Sequence, residues 1–201
     1  MTEPNQFDVT LDERGIPLAE GHNAPNDAPQ KIDRYRIVDV LGKGGFGLVY
    51  LAHDEELDRK VAIKVPHDKL ITGPEDAEAY LKEARTVANL DHANIVPVYD
   101  MGRTDECPCY VVSKYITGKD LKALQDGSKL DIRRAVEIAA AIADALQAAH
   151  QQGIYHRDVK PANIMIDEEG TPLLTDFGLA RHIEQTESMA MTRHEAVLGT
   201  P

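Results

Sequence analysis

Two short motifs decide how this chain folds: Tyr155-His156-Arg157-Asp158-Val159-Lys160-Pro161-Ala162-Asn163 and, shortly after it, Asp176-Phe177-Gly178. The residues between them indicate a short hairpin, which would bring both motifs to one point. Together they place two carboxylates, an amide, a lysine and an arginine around that point. Phosphoryl transfer requires such a set, because a carboxylate must lie near the attacking hydroxyl, oxygens must bind magnesium, and cations must lie near the phosphate.

The composition is that of a globular protein. Of the 201 residues, 42% are hydrophobic and 28% are charged, which are ordinary values. No apolar run approaches the ~20 residues needed to cross a bilayer, and the polar N-terminus does not resemble a secretory signal. We therefore expect a cytoplasmic protein with no membrane segment within this chain. The net charge of −12 argues against nucleic acid as a partner, since no basic surplus is available to neutralise phosphates.

The first 33 residues differ from the rest of the chain. They hold four prolines, seven acidic residues and only two basic ones, without sustained hydrophobic periodicity. Such a segment has too little apolar surface to bury, so we predict that residues 1–33 form a disordered acidic N-terminal segment.

Strands and helices are predicted for the remainder. Three short strands from Tyr35 onward predict an antiparallel meander, and a helix should start behind Gly73-Pro74. Two further strands are expected at 95–99 and 110–113. A long helix should span residues 131–153. Its predicted inward-facing residues are Ala135, Ile138, Ala139, Ile142 and Leu146. A strand-rich half followed by a helical half implies two lobes and an α+β fold.

A glycine-rich stretch lies between the first two predicted strands. Residues 42–49 are Gly-Lys-Gly-Gly-Phe-Gly-Leu-Val and fit the pattern G-x-G-x-x-G-x-V. Glycines allow backbone amides to approach phosphate closely, although a flexible hairpin or a dinucleotide-binding fold would also satisfy the pattern. The dinucleotide fold requires a helix after the glycines. Because a strand follows here, the sequence favours a glycine-rich hairpin lying over phosphates.

Two charged residues stand among apolar neighbours. Lys64 lies within the strand Val61-Ala62-Ile63-Lys64-Val65, and Glu83 shares a helix face with Tyr80 and Val87. An edge-strand lysine that reaches solvent is one interpretation of Lys64. A carboxylate on an apolar face, however, needs a cationic partner. We therefore hypothesise that Lys64 and Glu83 form an ion pair.

Taken in order, these motifs resemble those of the eukaryotic-like serine/threonine protein kinases of bacteria, from Tyr35 to Pro201. The resemblance implies a two-lobed protein-kinase-like α+β fold. Residues 34–113 would be the kinase small lobe, an antiparallel β lobe with one helix. Residues 114–201 would be the hinge and the first part of the helical large lobe, which is incomplete.

The resemblance also implies ATP and Mg²⁺ as cofactors. Asp158 would accept the proton of the substrate hydroxyl, and Lys160 would steady the transferring phosphate. Lys64 would contact the α- and β-phosphates and be held by Glu83. The metal ligands would be Asn163 and Asp176. Residues implied to bind the nucleotide are Leu41, Gly42, Lys43, Gly44, Gly45, Phe46, Gly47, Val49, Ala62, Lys64, Lys114, Ile116, Asp120 and Met165.

The implied substrate is a protein. Lys160 within Asp-Val-Lys-Pro-Ala-Asn is similar to the serine/threonine version of this loop, which predicts partners bearing serine or threonine hydroxyls. In this family, the arginine at the position of Arg157 often binds a phosphate on the activation segment. We therefore hypothesise self-phosphorylation within residues 179–198, where Thr192 is favoured over Thr186 and Ser188.

The family's catalytic domain continues beyond the Gly-Thr-Pro at residues 199–201. We therefore expect a domain truncated after the activation segment, with weak or absent transfer activity at this length. A membrane anchor beyond residue 201 is compatible with this expectation. Two alternatives remain open: a nucleotide-binding, non-catalytic kinase-like regulatory module, and an interaction module whose acidic tail and small lobe dock a partner.

Overall fold

A computed structural model describes residues 29–127 and 130–177. Ordered structure begins before the boundary predicted at residue 34, because strand β1 (Lys31–Ile32) pairs with β2 (Tyr35–Gly44). Ile32 is buried in the core, and Asp33 accepts a hydrogen bond of 2.8 Å from the Tyr110 hydroxyl. Residues 31–33 are therefore held by apolar burial and side-chain pairing. Residues 1–28 lie outside the described residues.

The first lobe is built on one antiparallel sheet of six strands in the order β1-β2-β3-β4-β6-β5. The remaining strands are β3 (Gly47–Asp54), β4 (Arg59–Pro66), β5 (Val98–Gly102) and β6 (Tyr110–Lys114). The predicted meander corresponds to β2, β3 and β4, which pair in sequence order. Burial alternates along the middle of β4, so that Val61 and Ile63 are fully buried on one face while Ala62 between them is only half-buried. This alternation is what fixes the register of a sheet with one buried face.

Helix α1 (Pro74–Val87) packs against this sheet. Proline in its first turn and two acidic residues beside it suit a helix N-terminus. Tyr80 and Val87, which share the predicted apolar face, are both buried. The full set of buried residues in this helix is Ala77, Tyr80, Leu81, Ala84 and Val87. The helix packs in one cluster with Val111 of β6 and with Cys109, which precedes that strand.

The strand predicted at residues 95–99 begins later, at Val98. Pro97 has no N–H to donate, and Ile95 instead forms an isolated parallel bridge with Leu174. Leu174 also accepts from the Val96 backbone N–H at 3.0 Å and donates to the Asn94 carbonyl at 2.8 Å. This stretch therefore ties the first lobe to the second.

The second lobe combines helices with a small antiparallel sheet, β7-β8-β9. In chain order its elements are β7 (Gly118–Asp120), α2 (Leu121–Gly127), α3 (Ile132–Gln151), β8 (Ile164–Asp167) and β9 (Pro172–Leu174). Asp131 caps α3 by accepting from the Arg134 N–H, and Gly153 follows the helix with φ of 74°. Both helix ends lie within two residues of their predicted positions.

The buried face of α3 differs from the predicted one. Its core residues are Ile138, Ile142, Ala145 and Ala149, with Leu146 packed beside them. Ala135 and Ala139 are exposed, so their prediction was wrong. Alanine fits either side of a helix, whereas the larger apolar residues Ile138, Ile142 and Leu146 correctly indicated the inner face. Across residues 29–127 and 130–177, no helix is long and apolar enough to span a bilayer.

Candidate active site

A cavity of about 460 Å³ lies between the two lobes. Small-molecule sites typically enclose about 300–1,000 Å³, so its size suits a nucleotide-sized ligand. Its wall is largely apolar, and it includes Ser113, a small residue near the end of β6. Of the residues predicted to bind nucleotide or metal, the wall includes Leu41, Gly42, Val49, Ala62, Lys64, Lys114, Ile116, Asp120, Met165 and Asp176.

Asp120 and Ser113, which line this wall, also form hydrogen bonds to backbone groups. The carboxylate of Asp120 accepts from the Ala123 backbone N–H at 2.8 Å, so it also fixes the start of α2. Ser113 donates weakly to the Ala62 carbonyl at 3.5 Å. The wall extends past Ser113 to Val98 and Val111, which the sequence did not single out.

The glycine-rich stretch forms the hairpin between β2 and β3, as predicted. The tip of this hairpin, residues 43–47, lies outside the cavity wall. It contains the predicted residues Lys43, Gly44, Gly45, Phe46 and Gly47. A Cβ added to Gly44 or Gly45 would meet no atom within 4 Å, so the space beside these two glycines is open. Gly47, by contrast, passes directly against β4, where a Cβ would lie 2.1 Å from the Val65 carbonyl oxygen.

Lys64 has a partner that the sequence did not predict. Its ammonium nitrogen lies 2.7 Å from Oδ1 of Asp176, a residue predicted to bind metal. Asp176 has a left-handed backbone conformation, with φ of 61°, and in this conformation its carboxylate lies against Lys64. The hypothesised pairing of Lys64 with Glu83, a half-buried residue of α1, stays a prediction. In this structure, the lysine is therefore engaged with the carboxylate that should hold a cation.

The loop at residues 155–163 brings three predicted residues together. The Lys160 ammonium lies 2.6 Å from the Asp158 carboxylate. The Asn163 amide nitrogen donates to the Asp158 carbonyl at 2.8 Å and to its carboxylate at 3.1 Å. The hydrogen bond from Lys160, aided by that from Asn163, holds the pKa of Asp158 below its ordinary value. The carboxylate is therefore ionised at neutral pH and can accept a hydrogen bond from a hydroxyl.

His156, a residue for which the sequence predicted no role, holds this loop through contacts in the protein interior. Its ring is 2% exposed and packs on Phe177 at 4.7 Å between ring centroids. Nε2 lies 2.7 Å from the Thr175 carbonyl oxygen, and Nδ1 lies 3.3 Å from the Asp158 backbone nitrogen. Because a carbonyl can only accept, Nε2 carries the proton and Nδ1 accepts. The neutral ring thus links the loop to the segment before Asp176.

Acid is expected to destabilise the fold through His156. Burial lowers the pKa of this histidine, so the unfolded chain binds its proton more readily than the folded chain. The contribution of neutral His156 to the free energy of unfolding is fully present above about pH 6.5, the ordinary histidine pKa. This contribution is lost as the pH falls towards the lowered pKa of His156 in the folded state. One such proton contributes a slope of at most about 1.4 kcal/mol per pH unit.

Thermal unfolding without nucleotide or metal, between pH 7.5 and 5, tests this expectation. A His156→Gln variant keeps an amide donor for Thr175 but does not titrate, so its melting temperature should fall less on acidification than that of the wild type. The same pH dependence in both proteins would assign the acid sensitivity to other groups.

The two predicted metal ligands suit a hard cation. Asp176 presents a carboxylate, and the amide nitrogen of Asn163 is engaged with Asp158, which leaves the amide oxygen for a cation. Mg²⁺ in phosphate-transferring sites is usually held by one or two such side chains together with substrate phosphates. Asn163 and Asp176 therefore fit a bound Mg²⁺ ion. Gly178, the predicted phosphorylation sites Thr186, Ser188 and Thr192, and Thr200 lie outside the described residues.

Comparison with known proteins agrees with this geometry. A family model of the protein kinase domain matches residues 35–201. The serine/threonine-protein kinase PrkC of Bacillus subtilis is 40% identical over 168 residues, covering 83% of this chain and 25% of PrkC. The serine/threonine-protein kinase PknB of Mycobacterium leprae is 42% identical over 177 residues, covering 86% of this chain and 28% of PknB. The chain thus spans about a quarter of the length of these curated relatives.

Solved structures show the same fold. The crystal structure of the PknI kinase domain of Mycobacterium tuberculosis superposes with a TM-score of 0.66 at 31% identity. That match covers 75% of this chain and 62% of the PknI chain. The predicted two-lobed, kinase-like α+β class is therefore confirmed. Since the family model spans the chain from the second strand onward, this chain belongs to the protein kinase domain family.

Proposed function

We propose that this chain carries the nucleotide site and catalytic loop of an ATP- and Mg²⁺-dependent protein kinase that phosphorylates serine or threonine. The observation that carries the proposal is the convergence of Asp158, Lys160 and Asn163 in one hydrogen-bonded group, near a cavity whose wall includes Lys64 and Asp176. A carboxylate for the hydroxyl, two lysines for phosphate and two oxygen ligands for a cation are the parts that phosphoryl transfer uses.

Each part has a task in the proposed reaction. The Asp158 carboxylate accepts a hydrogen bond from the substrate hydroxyl and then its proton, for which its ionised state is required. Lys160 lies against this carboxylate and offers its remaining N–H groups to the transferring phosphate. Bound Mg²⁺, held by Asn163 and Asp176, would neutralise charge on the phosphates.

The cavity wall supports ATP as the donor. Val49, Ala62 and Met165 supply apolar surface for a purine ring, and we propose that backbone groups of Lys114 and Ile116 form hydrogen bonds with its edge. The ion pair between Lys64 and Asp176 must weaken when phosphates and a cation bind, because the cation then takes the Asp176 carboxylate. We propose that it then contacts the α- and β-phosphates and is held by Glu83.

The remaining predictions follow from the same proposal. Residues 34–113 act as the small lobe, extended by β1, and residues 114–201 as the hinge and first part of the large lobe. The acceptors are proteins, because the matched relatives are named serine/threonine-protein kinases. The segment 179–198 is proposed as a site of self-phosphorylation.

A labelled-phosphate assay tests the proposal. The purified chain is incubated with γ-labelled ATP, Mg²⁺ and a serine- and threonine-rich protein, and the label is assigned by phosphoamino-acid separation. Because transfer is expected to be weak at this length, we expect slow labelling as phosphoserine or phosphothreonine, no phosphotyrosine, and no transfer when the metal is chelated. Stabilisation by Mg²⁺-ATP without transfer would favour a nucleotide-binding, non-catalytic module. Absence of any nucleotide effect would contradict the proposal.

A further inference from the structure

His67 contacts the tip of the glycine-rich hairpin through both its side chain and its backbone. It follows β4 directly and lies three residues after Lys64. Its ring nitrogen Nε2 lies 2.8 Å from the carbonyl oxygen of Gly44. Its backbone N–H donates to the carbonyl of Phe46 at 3.4 Å. One residue therefore holds both sides of the tip.

These contacts matter because the tip has few others. Pairing between β2 and β3 ends at Gly44 and Gly47, and the space around Gly44 and Gly45 is open. Glycine loses more backbone freedom on ordering than any other residue, so a glycine-rich tip is costly to hold in one conformation. A hydrogen bond that restrains the tip before a ligand arrives removes part of that cost from binding.

The chemistry of the contact sets its requirements. A backbone carbonyl only accepts, so Nε2 of His67 must donate. The neutral tautomer protonated at Nε2 does so, and the doubly protonated ring does so as well. The restraint therefore requires a donor at the Nε2 position, and a positive charge is not needed.

We propose that His67 is a positioning residue that fastens the glycine-rich hairpin over the site where the phosphates of a nucleotide bind. The proposal rests on the proposed function, since it assigns the hairpin to nucleotide phosphates. His67 contacts no ligand itself. It acts through Gly44 and Phe46, and its position at the end of β4 ties the tip to the strand that carries Lys64.

Two substitutions separate the hydrogen bond from the bulk of the ring. His67→Gln places an amide N–H near the Nε2 position, whereas His67→Phe keeps an aromatic ring without a donor. Lys69→Gln, an exposed change in the following turn, serves as the control.

Hydrogen exchange of residues 42–47 in the nucleotide-free chain tests the restraint directly. We expect exchange in His67→Phe to be about two- to ten-fold faster, the range that one hydrogen bond supplies. His67→Gln and Lys69→Gln should exchange like the wild type. Unchanged exchange in His67→Phe would overturn the proposal, whether or not the chain binds nucleotide.

Binding measurements then test the link to phosphate. His67→Phe should weaken the affinity for a non-hydrolysable ATP analogue by about two- to ten-fold, with adenosine affinity unchanged and with rescue by His67→Gln. Equal losses for both ligands, or failure of rescue, would assign His67 a merely structural role and overturn the proposal. A wild-type chain that binds neither ligand would contradict the proposed function, while hydrogen exchange still decides the restraint by His67.

Discussion

Replacement of Asp158 by asparagine is expected to slow phosphoryl transfer by about 10²–10⁴-fold, the usual contribution of a general base, with nucleotide affinity nearly unchanged. The substituted amide has nearly the shape of the carboxylate. Its oxygen can still accept a hydrogen bond from the Asn163 amide, which lies 3.1 Å from the carboxylate in the wild type. The amide cannot, however, take the proton of a hydroxyl. Because Asp158 lies outside the cavity wall, the loss should fall on the chemical step.

Single-turnover transfer from γ-labelled ATP measures this effect even where turnover is slow, and calorimetry measures nucleotide affinity. Glu168→Gln provides a matched control, because it removes one negative charge from an exposed turn of the same lobe. Transfer by Asp158→Asn at the wild-type rate would mean that another group receives the proton. A parallel loss of nucleotide affinity would instead make Asp158 a structural residue.

Local patterns were sufficient to predict most of the framework. The apolar run of β4 and the helix face that carries Tyr80 and Val87 each predict a buried element, and both elements contribute buried residues to the structure. The cap at Asp131 and the glycine at Gly153 mark the ends of α3 for equally local reasons. Burial and capping depend on neighbours in sequence, which is why a single chain reveals them.

Partners across the fold could not be predicted in the same way. The sequence shows that Lys64 requires an anion, but only the three-dimensional arrangement brings it to Asp176, 112 positions later in the chain. Ile95 pairs with Leu174 instead of with a neighbouring strand, since Pro97 interrupts the strand that its apolar character suggests. In both cases the sequence shows which residue requires a partner, but only the tertiary structure shows which residue that partner is.

The sequence predicted no individual role for the two histidines near the site. His156 and His67 both act on backbone carbonyls, of Thr175 and Gly44 respectively. Any residue can supply a carbonyl, so no side-chain pattern marks the acceptor. Contacts of this kind emerge only once the backbone is placed.

Replacement of Gly47 by alanine is expected to destabilise the first lobe by about 2–5 kcal/mol, combining backbone strain with overpacking. Its φ of 152° is one that side chains rarely adopt. An added Cβ would lie 2.1 Å from the Val65 carbonyl oxygen and 2.8 Å from the Cα of Pro66. These are backbone atoms of the adjacent strand, so they cannot rotate away, and β3 would have to separate from β4 where Gly47 pairs with Pro66.

Gly45→Ala is the matched control, because its Cβ would meet no atom within 4 Å. Thermal unfolding should show a loss of about 4–20 °C for Gly47→Ala, taking about 2–4 °C per kcal/mol for a chain of this size, and little change for Gly45→Ala. Similar melting temperatures for the two variants would mean that β4 yields at Val65, against the geometry. A loss of nucleotide affinity without a loss of stability would assign Gly47 to phosphate approach alone. The expected result separates the two uses of glycine in this hairpin: close strand contact at Gly47, and open backbone at Gly45.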